Sequence, residues 1–570
     1  MEHPARTDLR DWLSALPTNF FESAALLQCS LRMYWGDERM TALRPRLSEF
    51  GHACATTIDA AARLNDRIGN HPQLDPYTGI GEHTAAVAFH PSYHAAGRAA
   101  YESGVLAVQA QPGNILLQGA LFYLLCHNGE MGHACPIACT AGLILALQQR
   151  ADPATRARFL PPLLSDRYDQ LQHGAQFLTE VQGGSDVGAN TLAAAPVAGQ
   201  PGVWRLSGEK WFCSNINAHQ FLITARPADA PAGTRGLGLF LMPRILDDGR
   251  VNGFRIRRLK NKIGTRTMAS AEVDFDNALA YQIGPIDEGF KTVVELVLNT
   301  SRQLNALACC GLMARALIEA RAYATHRHAF GRPIGAYPLV RETLAQMAAE
   351  HAAALASSLH LAALVDRMQT GLASPREQAA YRLLVNLNKY ATAVAATAVI
   401  HHAIEIFGGN GAIEDFSVLP RLYRDAIVLE SWEGTHNVLC LQALRDMARY
   451  RIHEPFLAEL AELAAATRLP ALVALRDELA GAIERARGLA ERVLALEGRA
   501  AEAHARRLAD ALIAVVQAVY LLHTADWAGD AAPEHQAITE LFVRVRLRPC
   551  YSPLDDPEYL ALTERVASLA

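Results

Sequence analysis

With 570 residues, 51% of them hydrophobic, and a formal net charge of −5, the chain is long enough for three or four domains and reads as a soluble globular protein. No segment reads as apolar for long enough to cross a bilayer. Met1-Glu2-His3-Pro4 lacks the basic-then-apolar layout of a signal peptide, so a cytoplasmic location and no membrane partner are expected.

Arginine carries the positive charge. Lysine occurs only at Lys210, Lys260, Lys262, Lys291 and Lys389, a skew that, with the abundant alanine, fits genome base composition. The ten cysteines are scattered through apolar surroundings and suit reduced core residues rather than a disulfide framework. Cys126, His127, His133, Cys135 and Cys139 lie close in sequence. However, Cys135 and Cys139 are one helical turn apart in an Ala/Ile/Leu-rich run, with no second ligand pair at structural-zinc spacing. Packing is the better reading, and no metal is expected.

In chain order, residues 1–174 read as helices. Apolar residues recur at three and four spacing through Leu116, Leu117, Leu121 and Leu125, and through Ile137, Leu143, Ile144 and Leu147. From Gln176 the period shortens. Alternating runs at Val203 to Leu206, Phe221 to Ala225, Gly238 to Met242 and Ala271 to Phe275 predict an antiparallel β-domain over 175–285. Helical character returns near Gly289 and covers 286–449. A further helical domain is predicted over 450–570, with runs Leu472-Leu475-Leu479 and Leu508-Leu512-Val515-Val516-Val519 and loops at Pro470 and Gly529 to Pro533. The fold class is α+β.

Four regions carry chemistry. Leu178-Thr179-Glu180-Val181-Gln182-Gly183-Gly184-Ser185-Asp186 opens the β-domain, and its glycines let backbone amides approach a planar ligand. Read alone it is a Gly-rich hairpin with a Ser/Asp turn. Gly208-Glu209-Lys210-Trp211-Phe212-Cys213-Ser214-Asn215 reads alone as a strand with a core aromatic. Tyr323-Ala324-Thr325-His326-Arg327-His328-Ala329-Phe330-Gly331-Arg332 reads alone as a solvated basic helix face. Last come Phe407-Gly408-Gly409-Asn410-Gly411, Arg421-Leu422-Tyr423-Arg424-Asp425 and Trp432-Glu433-Gly434-Thr435: a glycine-rich turn, a basic helix, then an aromatic-Glu-Gly-Thr loop.

In this order, across residues 176–437, the four regions resemble the acyl-CoA dehydrogenase family. The resemblance implies an N-terminal α-helical domain, a middle antiparallel β-barrel, a C-terminal four-helix bundle and, here, an extra C-terminal helical domain. It also implies FAD as cofactor. At matching positions Gln176, Leu178, Thr179, Gly184 and Ser185 would line the isoalloxazine ring, Phe212 would cover it and Ser214 would bond N5. Tyr323 to Arg332 matches the helix that reaches a neighbouring subunit's FAD, where Arg327 would meet the pyrophosphate and Phe330 would pack nearby. Glu405, Gly408, Gly409, Thr435 and Asn437 complete the implied cofactor set. Departures from the family pattern are Phe177 for a small residue, Phe212 for Trp, Ser214 for Thr, Ala329 for Thr and Glu405 for Gln, with one extra residue before Arg421. Glu405 would put negative charge near a diphosphate, so it points elsewhere or bonds an adenosine hydroxyl.

Phe89-His90-Pro91-Ser92-Tyr93-His94, Leu164-Ser165-Asp166-Arg167-Tyr168-Asp169 and Leu419-Pro420-Arg421-Leu422-Tyr423-Arg424, with the long tail, resemble the AidB-like branch of bacterial proteins linked to the alkylation response. That branch implies a homotetramer with FAD, weak dehydrogenase activity on some acyl thioesters and a proposed affinity for DNA.

The resemblance further implies that Glu433 removes the α-proton of an acyl-CoA or other acyl thioester while the β-hydrogen leaves as hydride to flavin N5. The backbone N–H of Glu433 and a ribityl hydroxyl would polarise the thioester carbonyl. Desolvation beneath the flavin would make Glu433 a stronger base. Ser185, Ser301, Arg302, Glu433 and Gly434 are the implied substrate contacts. Ser301 stands where other branches carry the base and cannot serve as one. Arg302 matches a family arginine, with Asn299 in place of the usual Asp. An electron-transfer flavoprotein is the expected electron acceptor, with O2 as the alternative.

The second reading is a stress-response flavoprotein that binds DNA or a protein partner with little turnover. DNA binding needs a basic surface. From residue 451 onward the chain has thirteen Arg, no Lys and eighteen Asp plus Glu, which disfavours it. Arg544, Arg546 and Arg548, and Arg445, Arg449 and Arg451, are local exceptions.

Overall fold

A computed structural model describes residue 3 and residues 5–569. Contacts group the chain into two compact units that are discontinuous in sequence. A barrel unit comprises Thr57–Gln118 and Glu130–Leu304, and a helical unit comprises Met1–Thr56, Gly119–Gly129 and Asn305–Ala570.

The barrel unit begins with a hairpin, β1 (Gln73–Tyr77) and β2 (His83–Ala88), paired antiparallel in a stretch whose sequence reads as helical. Ala85 sits in the barrel core, with Leu74 and Val87 packed against it. A half-buried pleated surface therefore overrides the local alanine preference. The other strands are β3 (Gly174–Phe177), β4 (Ala193–Pro196), β5 (Val203–Ser214), β6 (Gln220–Pro227), β7 (Gly238–Pro243), β8 (Phe254–Leu259) and β9 (Ser270–Gln282). The four alternating runs expected from sequence fall in β5, β6, β7 and β9.

Because β6 pairs with both β4 and β7, the path β6–β4–β5–β9–β7 returns to its start and the sheet closes into a small barrel. Most pairs are antiparallel, as the alternation predicts, but β3 and β4 run parallel to β6. The long connections between these strands allow the crossovers that parallel pairing requires. Phe177, where a small residue is usual, is fully buried and packs on Phe221 with ring centroids 4.8 Å apart. The departure therefore fills the core.

The bundle of the helical unit uses the helix Asn299–His326 from Asn305 onward, then Pro338–Gln369, Pro375–Phe407, Leu419–Ser431 and His436–Tyr450. The start of Pro375–Phe407 is fixed by Pro375 in the first turn and a capping box between Ser374 and Glu377. The tail forms the helices His453–Ala465, Val473–Leu494, Arg499–Ala528, Pro533–Leu547 and Tyr559–Leu569, and the last three pack on Pro338–Gln369. Its arginine triad is committed to ion pairs within the helical unit. Arg544 holds Asp556 at 2.7 Å and Glu558 at 2.6 Å, Arg546 faces Glu350 at 3.3 Å, and Arg548 meets Glu478 at 2.8 Å.

One expectation is corrected. Four helices, Met131–Arg150, Pro338–Gln369, Pro375–Ala412 and Arg499–Ala531, are long and apolar enough to cross a membrane by length and composition. Their apolar windows are 72–89% buried within the protein. Alanine raises the hydropathy of helices that pack all round in a protein core.

Candidate functional site

In the barrel unit, the loop after β3 and a bulge in β5 form one surface. Pairing of β5 with β9 shifts between Lys210 and Cys213. The extra residue turns Trp211 and Phe212 outward while Lys210 and Cys213 both point into the interior, which is how a bulge re-aims a side chain. Phe212 is 42% exposed on a strand whose Cys213 is fully buried. The Trp211 N–H donates to the Thr179 carbonyl at 2.9 Å, so the loop is docked on the bulge. Lys260 places its ammonium 3.7 Å from the Trp211 ring centroid. At the end of β5 the Ser214 hydroxyl lies 3.2 Å from that of Ser270.

A buried ion pair locks this loop. Lys210 Nζ donates to Glu180 Oε1 at 2.8 Å and to the Leu178 carbonyl at 3.1 Å. Glu180 also accepts from the backbone N–H groups of Thr191 and Leu192. Burial pushes the Glu180 carboxyl up, but the Lys210 ammonium and these donors outweigh it and hold the group below the usual carboxylate range. A Cβ on Gly184 would lie 2.7 Å from the Thr179 hydroxyl, so a larger residue there would have to displace the Thr179 side chain. Ser185 is exposed at the loop tip. Beside the loop, Gln176 Nε2 donates to the Ser301 hydroxyl at 3.1 Å, and buried Arg302 donates to Asn299 Oδ1 at 3.2 Å.

In the helical unit the expected helix through Arg327 and Phe330 stops early. It ends at His326, and residues 328–333 form a tight hairpin, β10 (His328–Ala329) with β11 (Arg332–Pro333). Phe330 at φ +51° and Gly331 at φ +84° make its turn. The Asp8 carboxylate accepts from the His328 N–H at 3.0 Å and Tyr337 donates to the Ala329 carbonyl at 2.9 Å, which ties the hairpin down. Phe330 is 97% exposed, and Arg327 is partly exposed.

The Gly408 turn closes the helix Pro375–Phe407. Gly408 takes φ +60° with ψ −139°, a combination only glycine holds comfortably. Around Gly408 and Gly409 the space is open, whereas a Cβ on Gly411 would meet the Ile404 carbonyl at 2.5 Å. Sequence reading missed the box that braces this turn. Trp12 packs edge-on to Tyr323 and Phe407 and stacks on Phe416, Tyr323 stacks on Phe407 at 4.0 Å, and the Tyr323 hydroxyl accepts from Asn410. Glu405 is exposed.

Glu433 stands between the helices Leu419–Ser431 and His436–Tyr450. Its φ is +57° and that of Gly434 is +109°. A non-glycine residue in the left-handed region costs roughly 1–3 kcal/mol and persists only where its surroundings over-determine it. Those surroundings are specific. Trp432 donates its indole N–H to Asn305, and buried Lys389 donates to the carbonyls of Glu430 at 3.0 Å and Gly434 at 2.9 Å. Thr435 leads the next helix without a side-chain cap bond. Exposed Asn437 accepts from Arg506 of the tail at 2.7 Å.

The side chains match the needs of a flavin. An outward ring at Phe212 and another at Phe330 offer planar apolar faces, the Arg327 guanidinium suits a diphosphate, and the open backbone at Gly408 and Gly409 permits close approach. A closed barrel with a Thr-Glu-x-x-x-Gly-Ser-Asp loop, together with a helical unit bearing a Gly-Gly-Asn-Gly turn and a Glu-Gly loop, defines the architecture of the acyl-CoA dehydrogenases.

Comparison with known proteins agrees. Residues 175–278 match the acyl-CoA dehydrogenase middle domain, residues 287–448 its C-terminal domain, and residues 15–170 the adaptive response protein AidB N-terminal domain. The putative acyl-CoA dehydrogenase AidB of Escherichia coli strain K12 is 36% identical over 389 residues, 66% of this chain and 69% of its own length. Caenorhabditis elegans ACDH-11, solved in complex with C11-CoA, superposes with a TM-score of 0.85 at 26% identity, covering 96% of this chain and 94% of its own. An acyl-CoA dehydrogenase from Bacillus anthracis complexed with FAD shares the fold, with a TM-score of 0.70 at 18% identity over 84% of this chain and 89% of its own. The chain belongs to the acyl-CoA dehydrogenase family.

Proposed function

We propose that the protein is an FAD-dependent acyl-CoA dehydrogenase in which Glu433 removes the α-proton of an acyl thioester. The observation that carries this reading is the conformation of Glu433, a glutamate kept at φ +57° by anchors on both sides of it in a member of this family. Strain of this kind gathers where a side chain must be presented in one place.

In this reading a Glu433 carboxylate oxygen takes the α-proton, and its backbone N–H donates to the thioester carbonyl, which acidifies the α-carbon. When bound, FAD supplies the acceptor for the β-hydrogen and its electron pair. Gln176, Leu178, Thr179, Gly184 and Ser185 line the ring, Phe212 keeps water from it, and the Ser214 hydroxyl donates to it. Arg327 holds the pyrophosphate, with Phe330, Glu405, Gly408, Gly409, Thr435 and Asn437 completing the cofactor contacts. Ser185, Ser301, Arg302 and Gly434 border the acyl thioester. Phe330 is almost fully exposed within its own subunit, which supports a homotetramer whose neighbour supplies the FAD that Arg327 and Phe330 meet. An electron-transfer flavoprotein is the proposed acceptor, and the cytoplasm the proposed location.

The test is anaerobic titration of the purified protein with a panel of acyl-CoAs that includes C11-CoA. The protein should be yellow, and at least one thioester should bleach the flavin band near about 450 nm. Glu433→Gln should retain flavin and lose bleaching. Retained flavin, no bleaching across the panel and salt-sensitive retention on duplex DNA would instead favour a binding protein with little turnover.

A further inference from the structure

We propose that Lys389 is a positioning residue for Glu433, holding the base in its left-handed conformation by clamping the chain on both sides of it. This rests on the assignment of Glu433 as the base. Lys389 is fully buried in the helix Pro375–Phe407. Its Nζ reaches two carbonyls of a different segment, Glu430 at 3.0 Å and Gly434 at 2.9 Å. One of these lies three residues before Glu433 and the other one residue after it, so a single ammonium spans the turn that presents the base.

The chemistry suits the place. Glu430 O is among the last carbonyls of the helix Leu419–Ser431, which have no partner within the helix. A cation is favoured at that negative end of the helix dipole. An ammonium, with three donors on a flexible stem, can serve two carbonyls that diverge, which a planar guanidinium cannot do as readily. Three further contacts complete the grip. The Trp432 indole donates to Asn305 Oδ1, and the Glu430 carboxylate accepts from Thr397 Oγ1 and bonds His436 Nε2 at 2.9 Å. The residues immediately around Glu433 are therefore fixed from three helices.

Lys389→Met removes the ammonium and keeps the stem. With C11-CoA at saturation, the anaerobic bleaching rate should fall roughly 30- to 100-fold, since about 1 Å of misplacement costs that order. Flavin content and the C11-CoA concentration at half-saturation should stay within about twofold of wild type. With α-deuterated C11-CoA the isotope effect on bleaching should rise, because a misplaced base makes proton abstraction more rate-limiting. Amides of residues 430–437 should exchange faster while the rest of the chain keeps its protection. Unchanged rate, isotope effect and loop exchange would overturn the proposal.

If Lys389→Met does not fold, Lys389→Arg, which keeps the buried charge but not the geometry for two diverging carbonyls, decides by the same three readouts. Glu433→Gln separates the two claims. If it still bleaches, the assignment of the base fails, and the exchange of residues 430–437 in Lys389→Met still decides whether the clamp exists.

Discussion

Lys210 in the barrel unit and Lys389 in the helical unit are both buried, and each pins a loop that bears proposed site residues. They do so by different means. Lys210 meets a carboxylate, Glu180, which belongs to the same signature as Thr179 and Ser185. The hydrogen bonds from Lys389 to its loop go to backbone carbonyls. The first lock turns on a side-chain carboxylate, with the Leu178 carbonyl beside it, and the second on the path of the chain. That difference governs both what a mutation does and what can be read without a structure.

The largest expected effect tests the helical side of the comparison. Glu433→Gln should reduce the bleaching rate by at least about 10³-fold, the upper range for a general base, with flavin content unchanged. A variant that bleaches within about tenfold of wild type would remove the reason for a strained glutamate there. On the barrel side the effect should appear as stability. Lys210→Met leaves Glu180 buried without its cation, which should cost about 3–5 kcal/mol, measured by denaturant unfolding of the FAD-bound protein. The double variant Lys210→Met/Glu180→Gln should cost less than Lys210→Met alone, because no charge is then stranded. If the double variant is the worse one, the pair's role is binding energy rather than mutual neutralisation.

Legibility in the sequence follows the same divide. Four barrel strands, β5, β6, β7 and β9, were readable as short apolar runs between turns, though β6 and β7 are buried through those runs rather than alternating. The Thr179, Ser214 and Gly408 stretches were readable from their order along the chain. The hairpin β1–β2 was not readable, because Ala85 and Val87 are strand residues only through packing on the barrel core. Nor was the short hairpin at Arg327 to Pro333, where Phe330 takes a positive φ that no pattern of apolar residues announces. Lys210 could have been found, since it stands in a recognisable stretch opposite a signature carboxylate. Lys389 could not, since backbone carbonyls have no sequence signature. The same holds for the Trp12, Tyr323, Phe407 and Phe416 box, whose members are far apart along the chain.

Acid sharpens the comparison with a smaller effect. Burial pushes His133 and His173 of the barrel unit down to about 4 and about 3, and His127, His351 and His360 of the helical unit down to about 3, about 4 and about 3. Each folded value lies below the unfolded one near 6.5. The unfolded chain therefore binds protons that the folded chain refuses, and stability is complete above pH about 6.5 and declines toward pH 4 in both units. Depressed carboxylates add a second limb in both units: Asp556 and Glu377 in the helical unit, Glu272 and, beside the proposed site, Glu180 in the barrel. The folded value of Glu180 is depressed, so its contribution is present above the unfolded value of about 4.3 and lost as pH falls further. Amide exchange against pH should show both units loosening as pH falls below about 6.5, and the segment 178–192 that Glu180 holds loosening further below about 4.3. In Glu180→Gln the further loosening of that segment should vanish while the first limb remains.

The smallest effect concerns a third anchor, exposed where the two lysines are buried. Asn437 Oδ1 accepts from Arg506 Nη2 at 2.7 Å, which commits the oxygen of the amide and turns its NH2 group the other way. If Asn437 contacts FAD as proposed, Arg506 of the tail determines which end of the amide the cofactor meets. Arg506→Ala should change stability by no more than about 0.5 kcal/mol, as for other surface substitutions, yet weaken FAD binding roughly two- to threefold in a fluorescence titration, a fraction of one hydrogen bond. Asn437→Leu should weaken it more, and adding Arg506→Ala to Asn437→Leu should change nothing further. Equal FAD affinity in wild type, Arg506→Ala and Asn437→Leu would take Asn437 out of the cofactor set. The tail would then bear on the bundle through packing and through polar contacts such as Arg546 with Glu350 and Arg341 with Glu564, with no part in the cofactor site.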